Sequence, residues 1–196
     1  MKIIAATKNK GKKAELEAIL KDQGIELISW DEAGLGDLEI EETGSTCEEN
    51  SYIKAKTVCK ITGKAALADD TGLFVDAAGG EPGINAARYA GEHGNDAANR
   101  AKLLRKLKGV PFEKRTARFV TVITVVYPGG EKVVARGECP GHISMEEKGD
   151  RGFGYDSIFI PEGHEKTFAE LPAEYKNSLS HRHAALLKLT KLLENR

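Results

Sequence analysis

Lys2-Ile3-Ile4-Ala5-Ala6-Thr7-Lys8-Asn9-Lys10-Gly11-Lys12 is the stretch on which the fold turns. A short apolar run ends in a polar, glycine-containing loop. Leu16, Ile19 and Leu20 then recur at helical spacing to about Lys21, with Gly24 as the stop. Strand, short loop and helix open a parallel unit, and Glu26–Trp30 reads as its second strand.

Working outward, Ser45 with Glu48, or Thr46 with Glu49, makes a capping box. The helix it opens runs to about Thr62 and ends at Gly63. Ala65–Ala68 reads as a four-residue strand that stops at Asp69-Asp70-Thr71-Gly72. Asn95–Lys108 is an amphipathic helix with Leu103, Leu104 and Leu107 on its buried side. Thr116–Tyr127 and Lys132–Glu138 flank Pro128-Gly129-Gly130, a hairpin signature. Gly149–Gly154 is a glycine-rich loop, Ser157–Ile160 a strand and Ser180–Leu193 a helix. The expectation is one α/β domain over residues 1–196, a mixed sheet flanked by helices, with the hairpin supplying antiparallel pairs.

The 196 residues carry 29 Lys+Arg against 30 Asp+Glu, and 40% are hydrophobic. That composition excludes a disordered chain. The balanced charge argues against stable nucleic-acid binding and against an anionic membrane surface. No stretch approaches the roughly 18 apolar residues of a membrane span. The N-terminal pattern is not that of a signal peptide. Cys47, Cys59 and Cys139 are odd in number and lack CxxC spacing, which suits free thiols in a cytoplasmic protein. Any anion bound here must be held by a local cluster of Lys and Arg.

Thr7–Lys12 is suited to an anion, because the N-terminus of a helix directs backbone N–H groups and a favourable dipole at it. Thr7 and Asn9 add short polar side chains, Gly11 allows close approach and Lys12 can reach a phosphate. A helix cap with solvated lysines fits the same residues. Asp69 and Asp70 follow an apolar strand, where open α/β sheets bind ligands, and on an extended backbone the two point apart. They suit a site with a metal or cationic partner, or an ordinary surface turn. Glu39, Glu41 and Glu42 read either as a solvated acidic loop or as a source of a second carboxylate for Mg²⁺. Asn50 and Lys54 share a helix face, while Lys56 and Lys60 lie off it. Phe153-Gly154-Tyr155-Asp156 can stack a flat ring or plug a loop tip. Lys176, His181 and His183 are further candidates; HxH alone is weak metal evidence, and Ser180 suits a helix cap.

Taken together and in this order, Thr7–Lys12, Glu42-Thr43-Gly44, Glu49-Asn50, Lys54-Ala55, Ala68–Leu73, Pro82-Gly83, Ala87-Arg88-Tyr89, Phe153–Asp156 and Ser180-His181-Arg182 closely resemble the inosine triphosphate pyrophosphatase family, the Ham1-like enzymes. The resemblance covers essentially the whole chain. It implies an elongated, two-lobed α/β fold with a central cleft, usually a homodimer. It implies Mg²⁺-dependent hydrolysis of ITP, dITP and XTP to the monophosphate and pyrophosphate. Thr7, Lys8, Asn9, Lys10, Gly11 and Lys12 would then hold phosphates. Glu42 and Asp70 would bind the metal, with Asp70 as proton acceptor and Asp69 second in line. Lys54 would add positive charge. Thr71, Phe153, Gly154, Tyr155, Asp156, Lys176, His181 and Arg182 would contact the nucleotide. Thr71 stands where many relatives carry Ser, Ala86 where Ser is frequent and His183 where Gly is frequent. Two other readings compete: a Maf-type nucleotide pyrophosphatase and a non-catalytic nucleotide-binding module.

Overall fold

The computed structural model describes residues 1–194. The chain gathers into two compact units, each built from separated segments. Unit 1 combines Met1–Asp70, Thr121–Gly137 and the chain from Arg182; unit 2 combines Thr71–Val120 and Glu138–His181.

In unit 1, β1 (Lys2–Ala5) lies between β2 (Glu26–Ile28) and the start of β3 (Ala66–Val75) and is parallel to both, with Lys2 opposite Glu26 and Ile4 opposite Ala66. Strand alternation then decides which helix covers which face. Ile3, Ala5 and Leu67 pack with Leu16 and Leu20 of α1 (Lys10–Leu20) and with Leu186 and Leu189 of α5 (His181–Glu194). Ile4, Ala6, Ala66 and Ala68 pack instead with Ala55 and Val58 of α2 (Cys47–Thr62). Strands buried on both faces need continuous apolar runs, which explains Ile3–Ala6 and Ala66–Ala68. Each fully buried Leu or Ile contributes about 1.5–3 kcal/mol.

In unit 2, β4 (Pro82–Gly83) pairs antiparallel with β3, Leu73 opposite Gly83. β7 (Phe159–Pro161) pairs antiparallel with β6 (Lys132–Ile143), Gly141 opposite Pro161. The core joins Leu73, Val75, Phe119, Phe159 and Phe168 to Leu103 and Leu107 from α3 (Asp96–Lys106) and the residue after it. Buried Arg115 ties this core by donating to the carbonyls of Leu107, Val110 and Ser144, so its charge meets the C-terminal end of α3. With β5 (Thr116–Val126), the sheet order is β2-β1-β3-β5-β6-β7, β4 pairing on β3.

The expected mixed α/β sheet is present, and four local expectations change. β3 does not stop at Asp69; it continues extended to Val75, because cationic side chains satisfy the carboxylates within the strand. Lys176, outside the helix expected over Ser180–Leu193, is itself helical. It lies on a separate short helix, α4 (Ala173–Leu179), and extended Ser180 divides it from α5. The strand expected over Ser157–Ile160 begins at Phe159, after a single 3₁₀ turn over Asp156–Ile158. β2 ends at Ile28 rather than Trp30, whose indole N–H donates to Gly36 O at 2.9 Å. The α2 cap is Thr46, whose side chain accepts from Glu49 N–H while Glu49 accepts from Ser45 N–H. Among the described residues, no helix is long and apolar enough to cross a membrane.

Candidate functional site

The candidates fall into two sets, one in each unit. In unit 1, β1 delivers the chain to Thr7 and α1 begins at Lys10. Asn9 is the N-cap: its side chain accepts from Lys12 N–H at 3.0 Å, and Thr7 Oγ1 accepts from Asn9 N–H at 3.2 Å. Gly11 lies in the first helical turn, which carries no acidic residue, so nothing on the helix offsets its N-terminal dipole. Lys8 and Lys10 are exposed, with Lys8 Nζ 5.1 Å from the Trp30 ring. Lys12 turns inward and binds Asp69 Oδ2 at 3.1 Å.

Asp69 and Asp70 are adjacent on β3 and serve opposite faces. Asp69 meets the α1 and α5 side, where Arg182 donates to its Oδ2 from Nε and Nη2, both at 3.3 Å. The same guanidinium binds Glu15 of α1. Asp70 meets the α2 side, where Lys54 Nζ lies 3.1 Å from its Oδ1 and 2.7 Å from Glu42 Oε1. Oδ2 of Asp70 is buried and has no hydrogen-bond partner among the described residues.

These environments split the two acids. Burial alone would raise the Asp69 pKa, but Lys12, Arg182 and Lys54 together outweigh it and hold this carboxyl far below the usual range. For Asp70 burial wins; Glu42 adds to it, and Lys54 and Lys12 do not compensate, so its pKa is raised. Burial pushes the neighbouring Cys47 thiol up to about 12, with the charge of Asp70 adding to the shift. Burial works against the charge of Lys54, yet Asp70 and Glu42 hold its pKa above the ordinary value.

Asn50, one turn before Lys54 on α2, is fully buried and accepts from Gly44 N–H at 2.8 Å. This bond fastens the Glu42–Gly44 segment to α2. A Cβ on Gly44 would lie 2.6 Å from Asn50 Oδ1, so glycine permits the approach. Glu39 and Glu41 are exposed, as are Lys56 and Lys60, in keeping with solvated positions.

In unit 2, Asp156 Oδ2 accepts from Lys176 Nζ at 2.7 Å and from Phe153 N–H at 3.0 Å. Phe153 is half-buried, with Lys176 Nζ 4.9 Å from its ring centroid. Tyr155 is a core residue whose hydroxyl donates to Ala86 O at 2.7 Å. His181 is buried and stacks on Phe119, ring centroids 4.5 Å apart. Thr71 is half-buried on β3. All three cysteines are free and buried.

The anticipated basic cluster is thus an ion-paired one. Lys12, Lys54 and Arg182 face Glu15, Glu42, Asp69 and Asp70, three cations against four carboxylates, and Lys176 is matched by Asp156. Glu15 escaped the sequence reading, although its spacing from Lys12 and Ile19 on α1 marks an inward face.

Ion-paired carboxylates and lysines around the start of a helix, at strands of a parallel sheet, define an α/β protein built to handle a phosphorylated small molecule. The Ham1 family model matches residues 3–192, and this chain belongs to that family. It is 49% identical over 191 residues to a dITP/XTP pyrophosphatase of Bacillus subtilis, covering 97% of this chain and 96% of the relative. It is 50% identical over 192 residues to one of Halalkalibacterium halodurans, covering 97% and 98%. Among solved structures, the Ham1 protein of Staphylococcus aureus superposes with a TM-score of 0.87 at 42% identity, covering 100% of this chain and 99% of that one. A HAM1 protein from Coxiella burnetii gives 0.88 at 38% identity, with both chains fully covered.

Proposed function

We propose that this chain hydrolyses non-standard purine nucleoside triphosphates, ITP, dITP and XTP, to the monophosphate and pyrophosphate, and so clears deaminated purines from the nucleotide pool. The observation that carries this reading is the buried, unpartnered Oδ2 of Asp70 inside a cluster with more carboxylates than cations. The names of the relatives agree with it.

Such a cluster cannot accept a polyanion without added positive charge. Glu42 and Asp70 would hold Mg²⁺, which is satisfied by one or two carboxylates when phosphate oxygens and water complete its shell. The free, buried oxygen of Asp70 and the shared Lys54 contact suit that pair. When bound, Mg²⁺ supplies charge neutralisation and acidifies water. Asp70, whose pKa is raised by burial, accepts a proton from the water that attacks the α-phosphorus. The new P–O bond forms as the bond to the β-phosphate breaks, and pyrophosphate leaves. Lys8, Lys10, Lys12 and the first amides of α1, with Thr7, Asn9 and Gly11, bind the phosphates. Asp69 stays ionised and holds Lys12 and Arg182 in place.

For the base, Phe153 offers a stacking face. Lys176 and Asp156 set the position of that ring. His181 would supply a donor that favours a 6-oxo over a 6-amino purine, while Arg182, expected to contact the nucleotide, is committed to Asp69 and Glu15. Thr71, Gly154 and Tyr155 shape the surroundings. Both units interleave segments of the sequence, which supports treating residues 1–196 as one functional domain. A homodimer in the cytoplasm completes the reading, in keeping with three free thiols.

The test is a nucleotide panel with Mg²⁺, in which phosphate and pyrophosphate are assayed separately. ITP, dITP and XTP should yield pyrophosphate much faster than ATP or GTP. Release of orthophosphate would overturn the reading.

A further inference from the structure

Both backbone hydrogen-bonding groups of Gly154 are taken by charged side chains of α3. Its N–H donates to Asp96 Oδ2 at 2.8 Å, and its C=O accepts from Arg100 Nη1 at 2.8 Å. Asp96 and Arg100 are four residues apart on α3, so one helical turn presents an acceptor and a donor side by side. The turn is itself fixed by the N-cap Asn95, which accepts from Ala98 N–H at 3.1 Å. Arg100 is braced from its other edge: Nε donates to Glu147 Oε2 at 2.9 Å, and that oxygen also accepts from Ser157 Oγ at 3.1 Å.

The consequence falls on Phe153. The peptide N–H preceding its Cα is bound by Asp156, and the peptide N–H following it is bound by Asp96. Arg100 holds the next peptide along. Gly152 and Gly154 both have positive φ, at 76° and 61°, so an unclamped loop here would sample many conformations. Charge-assisted bonds from a rigid helix remove that freedom before any ligand arrives. Three charged side chains, Asp96, Arg100 and Asp156, committed to the backbone around one half-buried aromatic suit a ring that must be presented, rather than one that fills a core.

We propose that Asp96 and Arg100 are positioning residues for base recognition, a clamp on α3 that presets the direction of the Phe153 ring. The proposal rests on the reading of Phe153 as the stacking face. It assigns α3, which carries no residue of the catalytic cluster, a part in substrate affinity. The clamp acts on KM and leaves kcat largely alone.

The experiment is steady-state kinetics with ITP and Mg²⁺ on Asp96→Ala, Arg100→Ala, Arg100→Lys, Phe153→Ala and the double variant Phe153→Ala/Arg100→Ala, with folding checked by circular dichroism and Tm. Asp96→Ala and Arg100→Ala should each raise KM about fivefold, the scale of one lost hydrogen bond, with kcat within about twofold. Arg100→Lys keeps a donor for the Gly154 carbonyl and should recover part of the loss. The double variant should be no worse than Phe153→Ala alone, since loosening a loop without its ring costs nothing further. Folded Asp96→Ala and Arg100→Ala proteins with unchanged KM, beside a Phe153→Ala protein with raised KM, would overturn the clamp while leaving the stacking reading intact. An unchanged KM in Phe153→Ala would instead overturn the stacking reading and the clamp with it. If Arg100→Ala does not fold, Arg100→Lys decides: an unchanged KM overturns the clamp, and an intermediate rise supports it.

Discussion

Each unit buries a carboxylate against a lysine, and the two pairs are put to opposite uses. Asp156 in unit 2 meets Lys176 at 2.7 Å and the Phe153 amide at 3.0 Å through one oxygen. Asp70 in unit 1 shares its lysine with Glu42, and its second oxygen has no hydrogen-bond partner among the described residues. A satisfied acid fixes backbone and is inert. An under-satisfied one, with its pKa raised by burial, is ready to take a proton or a cation. Burial and a lysine neighbour alone do not mark a reactive carboxylate; an under-satisfied buried oxygen together with a raised pKa does.

That contrast breaks most decisively at Asp70. Asp70→Asn should lower kcat about 10³- to 10⁴-fold, the upper range for loss of a general base, without lowering Tm. Ionised Asp70 is disfavoured by burial, so the neutral amide relieves a cost while Lys54 keeps Glu42. Substantial residual turnover would move the proton acceptor to another group.

Asp69→Asn should act on stability, by about 3 kcal/mol in denaturant unfolding, because Lys12 and Arg182 lose a buried partner. The pH dependence carries the same signature. Because the folded pKa of Asp69 is depressed, its contribution is complete above the unfolded carboxylate value of about 3.9 and is lost as pH falls toward the folded value. Unfolding free energy should therefore drop on acidification in the parent protein, less steeply in Asp69→Asn, and more steeply in Asp70→Asn, which lacks the offsetting gain from protonating a carboxyl whose folded pKa is raised. Equal acid limbs in all three would erase the distinction between the two aspartates.

Phe153→Ala should weaken apparent ITP affinity by about 2 kcal/mol, near 30-fold, with little change in Tm, because the ring is only half-buried. The smallest effect belongs to the exposed pair of Arg136 and Glu48, 3.0 Å apart. Arg136→Ala should change unfolding free energy by about 0.5 kcal/mol and leave turnover alone.

Much of this was legible in the sequence, for reasons that differ by element. The runs Ile3–Ala6 and Ala66–Ala68 announce strands covered on both faces, and Thr46 with Glu49 announces a helix start. Asn50 and Lys54 share a face by spacing alone, and both meet the Glu42–Gly44 segment. What stayed hidden depends on long-range pairing. Asp69-Asp70 reads locally as a turn, and only partners from α1, α2 and α5 keep it in a strand. Proline at position 172 and the extended Ser180 bound a helix of seven residues, too short for periodicity to reveal. Pairing also turned an expected cationic cluster into one with more carboxylates than cations. Spacing in sequence reports which residues share an element; it does not report which distant carboxylate meets which lysine.

The Arg182 guanidinium also bears on how the molecule is made. Its partners Asp69 and Glu15 are separated from it by 113 and 167 residues of chain. During synthesis, β1, α1 and β3 leave the ribosome long before α5 is translated. Until then Asp69 has Lys12 as an ion-pair partner and lacks the guanidinium that seals it from water. Unit 1 therefore completes the pairing of Asp69 and Glu15 only when α5 docks, and α5 is the last of its helices to be synthesised. A chain halted before α5 would carry an exposed, half-covered sheet face where Leu186 and Leu189 belong, and would be a substrate for chaperones rather than for assembly.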